Sequence, residues 1–193
     1  MITLIVPAVD PEQGQRIMDG LVDRAGVDVH PLLIDDHQRS GYTAACNRGL
    51  AQALERGTDA CICVDDVEPV TDNWLARLNQ ALYLNNSIWF AGPSGACRTP
   101  PQNSGRVDDP RPVQYVSHVA GFCWLIKNVA LQRVGLMREE LSNYGSEVDY
   151  QWRARAQGGR TVWVPDVYVK HELHAPRQPE WDEDNERFDA IWS

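Results

Sequence analysis

The chain has 193 residues, of which 43% are hydrophobic and 23% are charged, and this composition is ordinary for one soluble globular domain. Its formal net charge of −9 disfavours non-specific nucleic-acid binding, since phosphate binding needs a positive field. The five cysteines lack a CxxC pair, which favours reduced, buried thiols over a disulfide framework or a zinc site.

The first half of the chain alternates strand and helix patterns. The N-terminal residues lack the basic segment of a secretory signal and predict a first strand over 4–6, so we expect a cytoplasmic protein. Asp10-Pro11 predicts an N-cap followed by the first helical position, with Gly26 as the stop. Further strands are predicted at 27–34, 60–64 and 87–91, with helices at 41–56 and from an Asp72 cap to residue 82.

The second half has a different character. Residues 92–112 are rich in glycine and proline, and a loop of that length is usually functional or mobile. Strands are predicted at 114–117, 121–126, 161–164 and 167–169, with helices at 128–134 and from Ser146 to a Gly158-Gly159 stop. We expect one domain over 1–175, then an acidic tail or terminal helix over 176–193 that is solvated.

The predicted alternation indicates an α/β fold with a mostly parallel, mixed central sheet flanked by helices. No apolar run approaches the roughly 20 residues that span a bilayer, so no integral membrane segment is expected. The sequence also lacks a dinucleotide-binding glycine motif, a P-loop and a Gly-x-Ser-x-Gly elbow. The usual dinucleotide, NTPase and serine-hydrolase sites are therefore disfavoured.

Acidic residues follow two of the predicted strands. Asp35 and Asp36 follow the second, while Asp65, Asp66 and Glu68 follow the third. Ligands of α/β sheets bind beyond the carboxyl ends of parallel strands. Neighbouring carboxylates repel one another unless a cation neutralises them, which suggests a divalent metal site. A turn with solvated acids explains the third-strand acids equally well on the residues alone.

The order of motifs along residues 2–174 resembles a family 2 glycosyltransferase of the GT-A fold, close to its rhamnosyltransferase-like members. The segments that carry the resemblance are Val6-Pro7, Ile34-Asp35-Asp36, the run from Gly41 to Leu50, Val64-Asp65-Asp66-Val67-Glu68, the run from Gly121 to Ile126, Val134-Gly135-Leu136, the run from Tyr144 to Asp149 and the run from Val164 to His171. Each motif is weak, and their order and spacing make the combination specific. The resemblance implies a single Rossmann-like domain.

The resemblance also implies a donor site and a metal site. Pro7 and Ala8 border the nucleotide base, and Asp36, next to Asp35, binds the base edge. Asp66 falls on the metal-ligating aspartate of the DxD region. The remaining implied roles are Asp65 near the ribose or metal and His171 completing the metal site. Val64 departs from the pattern, because many relatives have an acid or asparagine there.

The catalytic base is implied by the string Ser146-Glu147-Val148-Asp149, where relatives commonly have Glu-Asp-x-Asp. Aligned without a gap, Glu147 takes the position of the base, with Asp149 as the alternative. Ser146 and Asp149 also have capping-box spacing, which needs no catalysis.

Several other side chains are weaker candidates. Trp124 and Trp152 have the pattern of core residues, and Trp124 is kept as a candidate substrate contact. His118 and His174 are expected to be structural or surface histidines. The remaining candidates are Arg98, Arg106 and Arg111, which could close over a diphosphate, and Trp181 and Trp192, which could stack on an acceptor sugar or pack the tail down.

The implied activity is inverting transfer of a hexosyl or deoxyhexosyl group from a nucleotide-diphospho-sugar to a saccharide or protein acceptor. UDP is the expected nucleotide, with dTDP or GDP as alternatives, and the cofactor is Mn²⁺ or Mg²⁺. Two other functions stay open. One is a sugar-nucleotide nucleotidyltransferase, although the usual glycine-rich segment with Arg and Lys is poorly matched. The other is an inactive sugar- or nucleotide-binding module, favoured by Val64 and Ser146.

Overall fold

The computed structural model describes residues 1–172 and 178–193, and in that part eight strands and six α-helices are present. The strands are β1 (Ile2–Ala8), β2 (Val29–Asp35), β3 (Asp59–Cys63), β4 (Val67–Pro69), β5 (Ile88–Ser94), β6 (Gln114–Val116), β7 (Cys123–Ile126) and β8 (Arg160–His171). The helices are α1 (Pro11–Asp23), α2 (Tyr42–Arg56), α3 (Trp74–Leu82), α4 (Asn128–Val134), α5 (Ser146–Ala156) and α6 (Gln178–Trp192). The predicted α/β class is therefore confirmed.

The strands form one mixed sheet in the order β2-β1-β3-β7-β5-β8-β4, with β6 paired to β8. Strands β1, β2, β3, β5 and β8 run in one direction, and β4, β6 and β7 run in the other. In register, Ala8 of β1 lies beside Asp35 of β2. The carboxyl ends of β1, β2 and β3 therefore meet at one edge of the sheet, and the last strand residues and the following loops carry the predicted donor residues.

Two hydrophobic cores cover the two faces of this sheet. One contains Met18 and Leu21 of α1 with Leu75 and Leu78 of α3, all buried. The other contains buried side chains of α2, α4 and α5, including Leu50, Leu131 and Tyr150. The two-sided arrangement explains why the central strands are apolar along their whole length rather than alternating.

Some predicted helix caps are confirmed and others are wrong. The Asp10 carboxylate accepts hydrogen bonds from two backbone N–H groups at the start of α1, and Gly57 ends α2 in a left-handed conformation. Asp72 does not cap α3, because its carboxylate pairs with Arg24 and the N-cap position belongs to Asn73. The capping box of α5 is also absent: Gly145 is the N-cap and Ser146 lies inside the helix.

The sequence analysis did not predict the short strand that ends at Pro69. Residues 67–69 form β4, which pairs antiparallel with the end of β8 so that Val67 lies opposite His171. The two strands predicted at 161–164 and 167–169 are one irregular strand, β8, with a shift in its register beside β5. The pairing of β4 with β8 positions the candidate metal ligands.

The C-terminal segment from Gln178 is a helix rather than a solvated tail. Most of its acidic residues are exposed, but Asp184 is buried. Within the described residues, every helix is too short or too polar to span a membrane. The expected boundary at 175–176 and His174 lie outside the described residues.

Candidate active site

A cavity of about 620 Å³ opens beside the ends of β3, β7 and β8. Its wall includes Glu147 of α5, His171 of β8 and Tyr42 of α2. It is lined by apolar and aromatic side chains together with polar and charged groups, a combination that can bind and orient a ligand. A separate hollow of about 750 Å³ beside β6 and β8 contains no acidic or histidine side chain, so it offers no comparable chemistry.

Glu147 lies in the first turn of α5, where other residues pack closely around its side chain. Burial raises the pKa of the Glu147 carboxyl, and nearby N–H groups, including that of Gly121, only partly offset this. A Cβ at Gly121 would lie 2.8 Å from Tyr42 Oη, so a larger residue there would displace the Tyr42 hydroxyl, whereas Glu147 Cδ, at 3.4 Å, would be in ordinary contact. Glycine at 121 therefore makes room for the Tyr42 hydroxyl beside the Glu147 carboxylate.

Asp149 has a structural environment instead. Its side chain is completely buried, and its carboxylate accepts hydrogen bonds from Arg153 Nε at 2.8 Å and Trp192 Nε1 at 3.2 Å. Arg138 Nε lies 3.4 Å from the same carboxylate. Asp149 does not line the cavity. The geometry therefore gives Asp149 a structural role in packing α5 against α6, which disfavours it as the alternative base.

Trp124 is likewise a core residue and not a direct substrate contact. Its side chain is fully buried, and Nε1 donates a 3.2 Å hydrogen bond to Tyr42 Oη, which in turn donates to the Gly121 carbonyl. Trp124 thus supports Tyr42 from behind. Tyr42 itself lies in the cavity wall, and the sequence analysis did not identify it as a site residue.

The predicted metal ligands Asp66 and His171 are brought together by the β4–β8 pairing. His171 Nε2 lies 3.5 Å from Asp66 Oδ1, and both side chains are mostly buried. His171 Nδ1 lies 2.7 Å from the Ala96 carbonyl oxygen, and its ring stacks on Phe122 with centroids 5.0 Å apart. Donation from Nδ1–H to that carbonyl leaves the lone pair of Nε2 directed at the carboxylate side, as in many metal-binding histidines.

This donor set fits a divalent cation. A carboxylate oxygen and an imidazole nitrogen together suit Mn²⁺ somewhat better than Mg²⁺, which prefers oxygen alone. Burial raises the pKa of Asp65, and the adjacent Asp66 carboxylate raises it further. Asp65 and Asp66 line a smaller hollow of about 230 Å³, which shares Glu172 with the larger cavity. Glu68, in β4, also lines the smaller hollow, but its side chain is exposed and pairs with Lys170.

The predicted donor-side residues gather at the neighbouring edge of the sheet and do not line the large cavity. Asp36 is buried, and its Oδ1 accepts hydrogen bonds from Ser40 and from Arg48 at 3.1 Å. Burial alone would raise the pKa of Asp36, but these hydrogen bonds outweigh it and the pKa is lowered. The carboxylate is therefore ionised, held through one oxygen.

The other three residues at this edge differ in what they can contribute. Asp35 is exposed and binds His37 through the same oxygen that accepts the His37 backbone N–H. Pro7 is half-buried, while the Ala8 side chain is buried against α1 at Gly14. Ala8 can therefore offer its backbone to a ligand but not its side chain. Its predicted contact with the nucleotide base is limited to backbone atoms.

Asp184 of α6 supports the candidate site by holding the loop before α5, and the sequence analysis did not identify it. Its buried carboxylate accepts backbone N–H hydrogen bonds from Ser142, Asn143 and Tyr144 at 3.1, 2.8 and 3.0 Å, and Arg187 pairs with it. The Asn143 side-chain oxygen in turn accepts from the Tyr42 backbone N–H at 3.1 Å. One carboxylate therefore fixes the loop that leads into α5 and Glu147. A run of acids in a terminal segment gave no signal that one of them is buried.

The three arginines of the 92–112 loop have different environments. Arg111 pairs with the buried Asp109 at 2.6 Å and lies over the Trp163 ring, which corrects its expected role at a diphosphate. Arg106 is exposed. Arg98 lines the cavity, where it is positioned for the predicted contact with an anion.

The cysteines are all free and buried, as expected. In the part of the chain that the structure describes, Cys61, Cys63 and Cys123 form the one cluster of three or more potential metal ligands. Burial raises the pKa of each thiol well above its usual range, and all three lie in the hydrophobic core. They are neutral packing residues rather than thiolate ligands.

The chain has the GT-A fold of glycosyltransferases, as solved structures of that class superpose on its whole length. GalNAc-T7, solved with UDP, GalNAc and Mn²⁺, matches 98% of this chain with a TM-score of 0.73 at 12% identity. A mannosyltransferase from Pyrobaculum calidifontis, solved with GDP-Man and Mn²⁺, matches all of it with a TM-score of 0.68 at 16% identity. The chain spans 47% and 64% of these two proteins, so the likeness shows the fold and not the activity.

Comparison of sequences adds one relative. An uncharacterised protein of Sinorhizobium fredii, y4gI, is 26% identical over 175 residues, which are 79% of this chain and 19% of the relative. The chain thus spans about a fifth of that protein. No protein-family model matches the chain.

Proposed function

We propose that this protein is an inverting, metal-dependent glycosyltransferase similar to the rhamnosyltransferase-like members of family 2. One observation carries the proposal: on a GT-A fold, the Glu147 carboxylate lines the same cavity as His171, whose imidazole lies beside the Asp66 carboxylate. A leaving-group site and a base are the two parts that single displacement at an anomeric carbon requires. The nucleotide, the sugar and Mn²⁺ bound to similar folds support this chemistry.

Glu147 serves as the general base. A carboxyl group whose pKa is raised by burial accepts a proton more readily than a solvated carboxylate does. In the reaction, the acceptor O–H proton moves to Glu147 as the acceptor oxygen bonds to the anomeric carbon. The bond from that carbon to the phosphate oxygen breaks on the opposite face, and its electron pair leaves with the nucleoside diphosphate. This single displacement inverts the anomeric centre.

Asp66 and His171 are the residues that would hold the cation, with Asp65 beside them. A bound Mn²⁺ or Mg²⁺ would neutralise the charge that grows on the leaving diphosphate. Asp36, held through Oδ1, presents its other oxygen to the base edge of the nucleotide, and Pro7 and the Ala8 backbone border the same base. UDP is the expected nucleotide, and the sugar is a hexose or deoxyhexose.

The decisive experiment follows nucleoside diphosphate release. The protein is incubated with UDP-, dTDP- and GDP-sugars, with Mn²⁺, with Mg²⁺ or with EDTA, and an acceptor panel of saccharides and peptides. We expect release that requires the cation and is abolished by Asp66→Ala. Asp28→Ala is the matched control, because Asp28 is an exposed acid outside both hollows, and this variant should keep full activity. Product NMR then reports the anomeric configuration, which we expect to be inverted.

Two outcomes would replace the proposal. Synthesis of a sugar nucleotide from an NTP and a sugar phosphate would indicate a nucleotidyltransferase. Donor binding without turnover on any acceptor or on water would indicate an inactive binding module, consistent with Val64 and Ser146. Equal turnover with EDTA and with Mn²⁺ would remove the metal from the mechanism.

A further inference from the structure

The cavity extends beyond Glu147 into a wall of aromatic rings that the reaction described so far does not use. Tyr144 and Trp152 contribute from the α5 side, and Trp181 and Phe188 contribute from α6. Tyr144 and Trp181 meet edge to face with centroids 5.0 Å apart, and Trp152 and Phe188 do so at 5.4 Å. These two pairs of rings form an apolar surface on the same side of the cavity as Glu147.

This aromatic wall is joined directly to the catalytic helix. Phe188 packs on Gly145, the N-cap of α5, so closely that a Cβ at Gly145 would lie 3.1 Å from the Phe188 ring. Glu147 follows two residues later. Asp184 anchors α6 through the three backbone N–H groups of the preceding loop. The wall is therefore held at a fixed place beside Glu147.

Polar groups border the same space. Arg98, Glu172 and Asn185 line the cavity together with the aromatic rings. A lipid chain offers no hydrogen-bond partner to the Arg98 and Glu172 side chains, whereas hydroxyl groups do. A pyranose ring has an apolar face of C–H groups and an edge of hydroxyl groups, which matches flat aromatic rings beside hydrogen-bonding side chains.

We propose that α6 forms the acceptor subsite and that the acceptor is a saccharide whose pyranose ring lies against Trp181. In this arrangement a ring hydroxyl reaches Glu147, while its other hydroxyls bind the polar side chains. The inference rests on the proposed function, since it takes Glu147 as the base that the acceptor must touch. It makes the terminal helix the element that selects the acceptor.

The test measures saccharide binding and transfer separately. Saturation-transfer NMR with a panel of methyl α- and β-hexopyranosides reports binding, and the acceptor KM is measured with the best of them. Hydrolysis of the donor in the absence of acceptor reports donor chemistry alone. We expect Trp181→Ala to lose the NMR signal and raise the acceptor KM about tenfold or more, with donor hydrolysis unchanged. Trp181→Phe should restore most of the binding.

Tyr115→Ala is the matched control, because it removes an exposed aromatic ring that does not line this cavity. It should leave saccharide binding unchanged. Absence of saccharide binding, binding that Trp181→Ala leaves intact, or an equal loss in Tyr115→Ala would overturn the inference. Binding of peptides or of phospholipid vesicles in place of saccharides would also overturn it. Failure of donor hydrolysis in the wild-type protein counts against the proposed function alone, since the NMR measurement does not depend on turnover.

Discussion

Glu147 and Asp149 are two residues apart and have opposite environments. The Asp149 carboxylate is surrounded by Arg153, Arg138 and Trp192, which satisfy it inside the protein. Glu147 is desolvated by its surroundings, and its charged form is disfavoured. Two carboxylates with different environments can take different roles, one structural and one as a proton acceptor.

Replacing Glu147 with glutamine tests this division of roles. We expect Glu147→Gln to lower the transfer rate by a factor of about 10² or more, because the amide cannot accept the proton. Donor affinity should stay unchanged, as measured by titration with the donor in the presence of Mn²⁺. Glu55→Gln, at an exposed position of α2, should behave as the wild type. Transfer at the wild-type rate would exclude Glu147 as the base.

The pH dependence of transfer follows from the raised pKa of Glu147. The base acts when ionised, so activity falls as the pH drops through the pKa of this group. Because burial raises that pKa, the acidic limb of kcat/KM should lie above the value of about 4.3 for an ordinary glutamate. A rate profile from pH 4 to pH 9 measures it. An acidic limb at or below the ordinary value would contradict the desolvated environment.

At the scale of whole elements, much of the fold was predictable and part of the site was not. The alternation of apolar runs and helical patterns predicted the strands and helices around the core, because burial enforces the pattern. The β4–β8 pairing was not visible, since β4 has three residues and contains a proline. His171 was nevertheless placed on the metal site by the resemblance, whereas the buried role of Asp184 depends on a contact with a loop about 40 residues earlier.

The hydrogen bonds of Asp184 should contribute to the free energy of unfolding by anchoring α6. Asp184→Asn removes the charge from a carboxylate that accepts three backbone hydrogen bonds and pairs with Arg187. We expect a loss of about 1–3 kcal/mol in the free energy of unfolding, measured by urea titration of the tryptophan fluorescence. Asp189→Asn, on an exposed part of the same helix, should change it by less than about 0.5 kcal/mol. Equal effects in the two variants would mean that Asp184 does not anchor the helix.

Close packing of α2 on β1 gives a second prediction at this scale. A Cβ at Gly49 would lie 2.5 Å from Ile5 Cγ2, and Ile5 is fully buried in a central strand. Gly49→Ala should therefore cost about 1–3 kcal/mol of stability, in spite of the helix propensity of alanine. At Gly20 in α1, a Cβ would meet nothing within 4 Å, so Gly20→Ala should stabilise by about 0.5–1 kcal/mol. Thermal unfolding of both variants checks the opposite signs.

In the whole molecule, the candidate site depends on segments that are far apart in the sequence. Asp36, Asp66, Glu147 and His171 come from four different parts of the chain and meet at one side of the sheet. The sheet order fixes where their strands end. Strand β7 runs antiparallel in the middle of the sheet, and Gly121 and Phe122 come just before it in the chain. The ligand site is therefore a property of the complete fold, and occupation of the site should stabilise the folded chain as a whole.

A ligand that binds only the folded state raises the free energy of unfolding by an amount fixed by its concentration and affinity. At 100 times its Kd, UDP with Mn²⁺ should add about 2.7 kcal/mol, which corresponds to a rise of about 5–10 °C in Tm for a chain of this length. The rise should disappear in EDTA and in Asp66→Asn, because the diphosphate then loses its cation. Asp28→Asn, at an exposed position outside both hollows, should retain the rise. An equal rise in EDTA would mean that the nucleotide binds without the Asp66–His171 site.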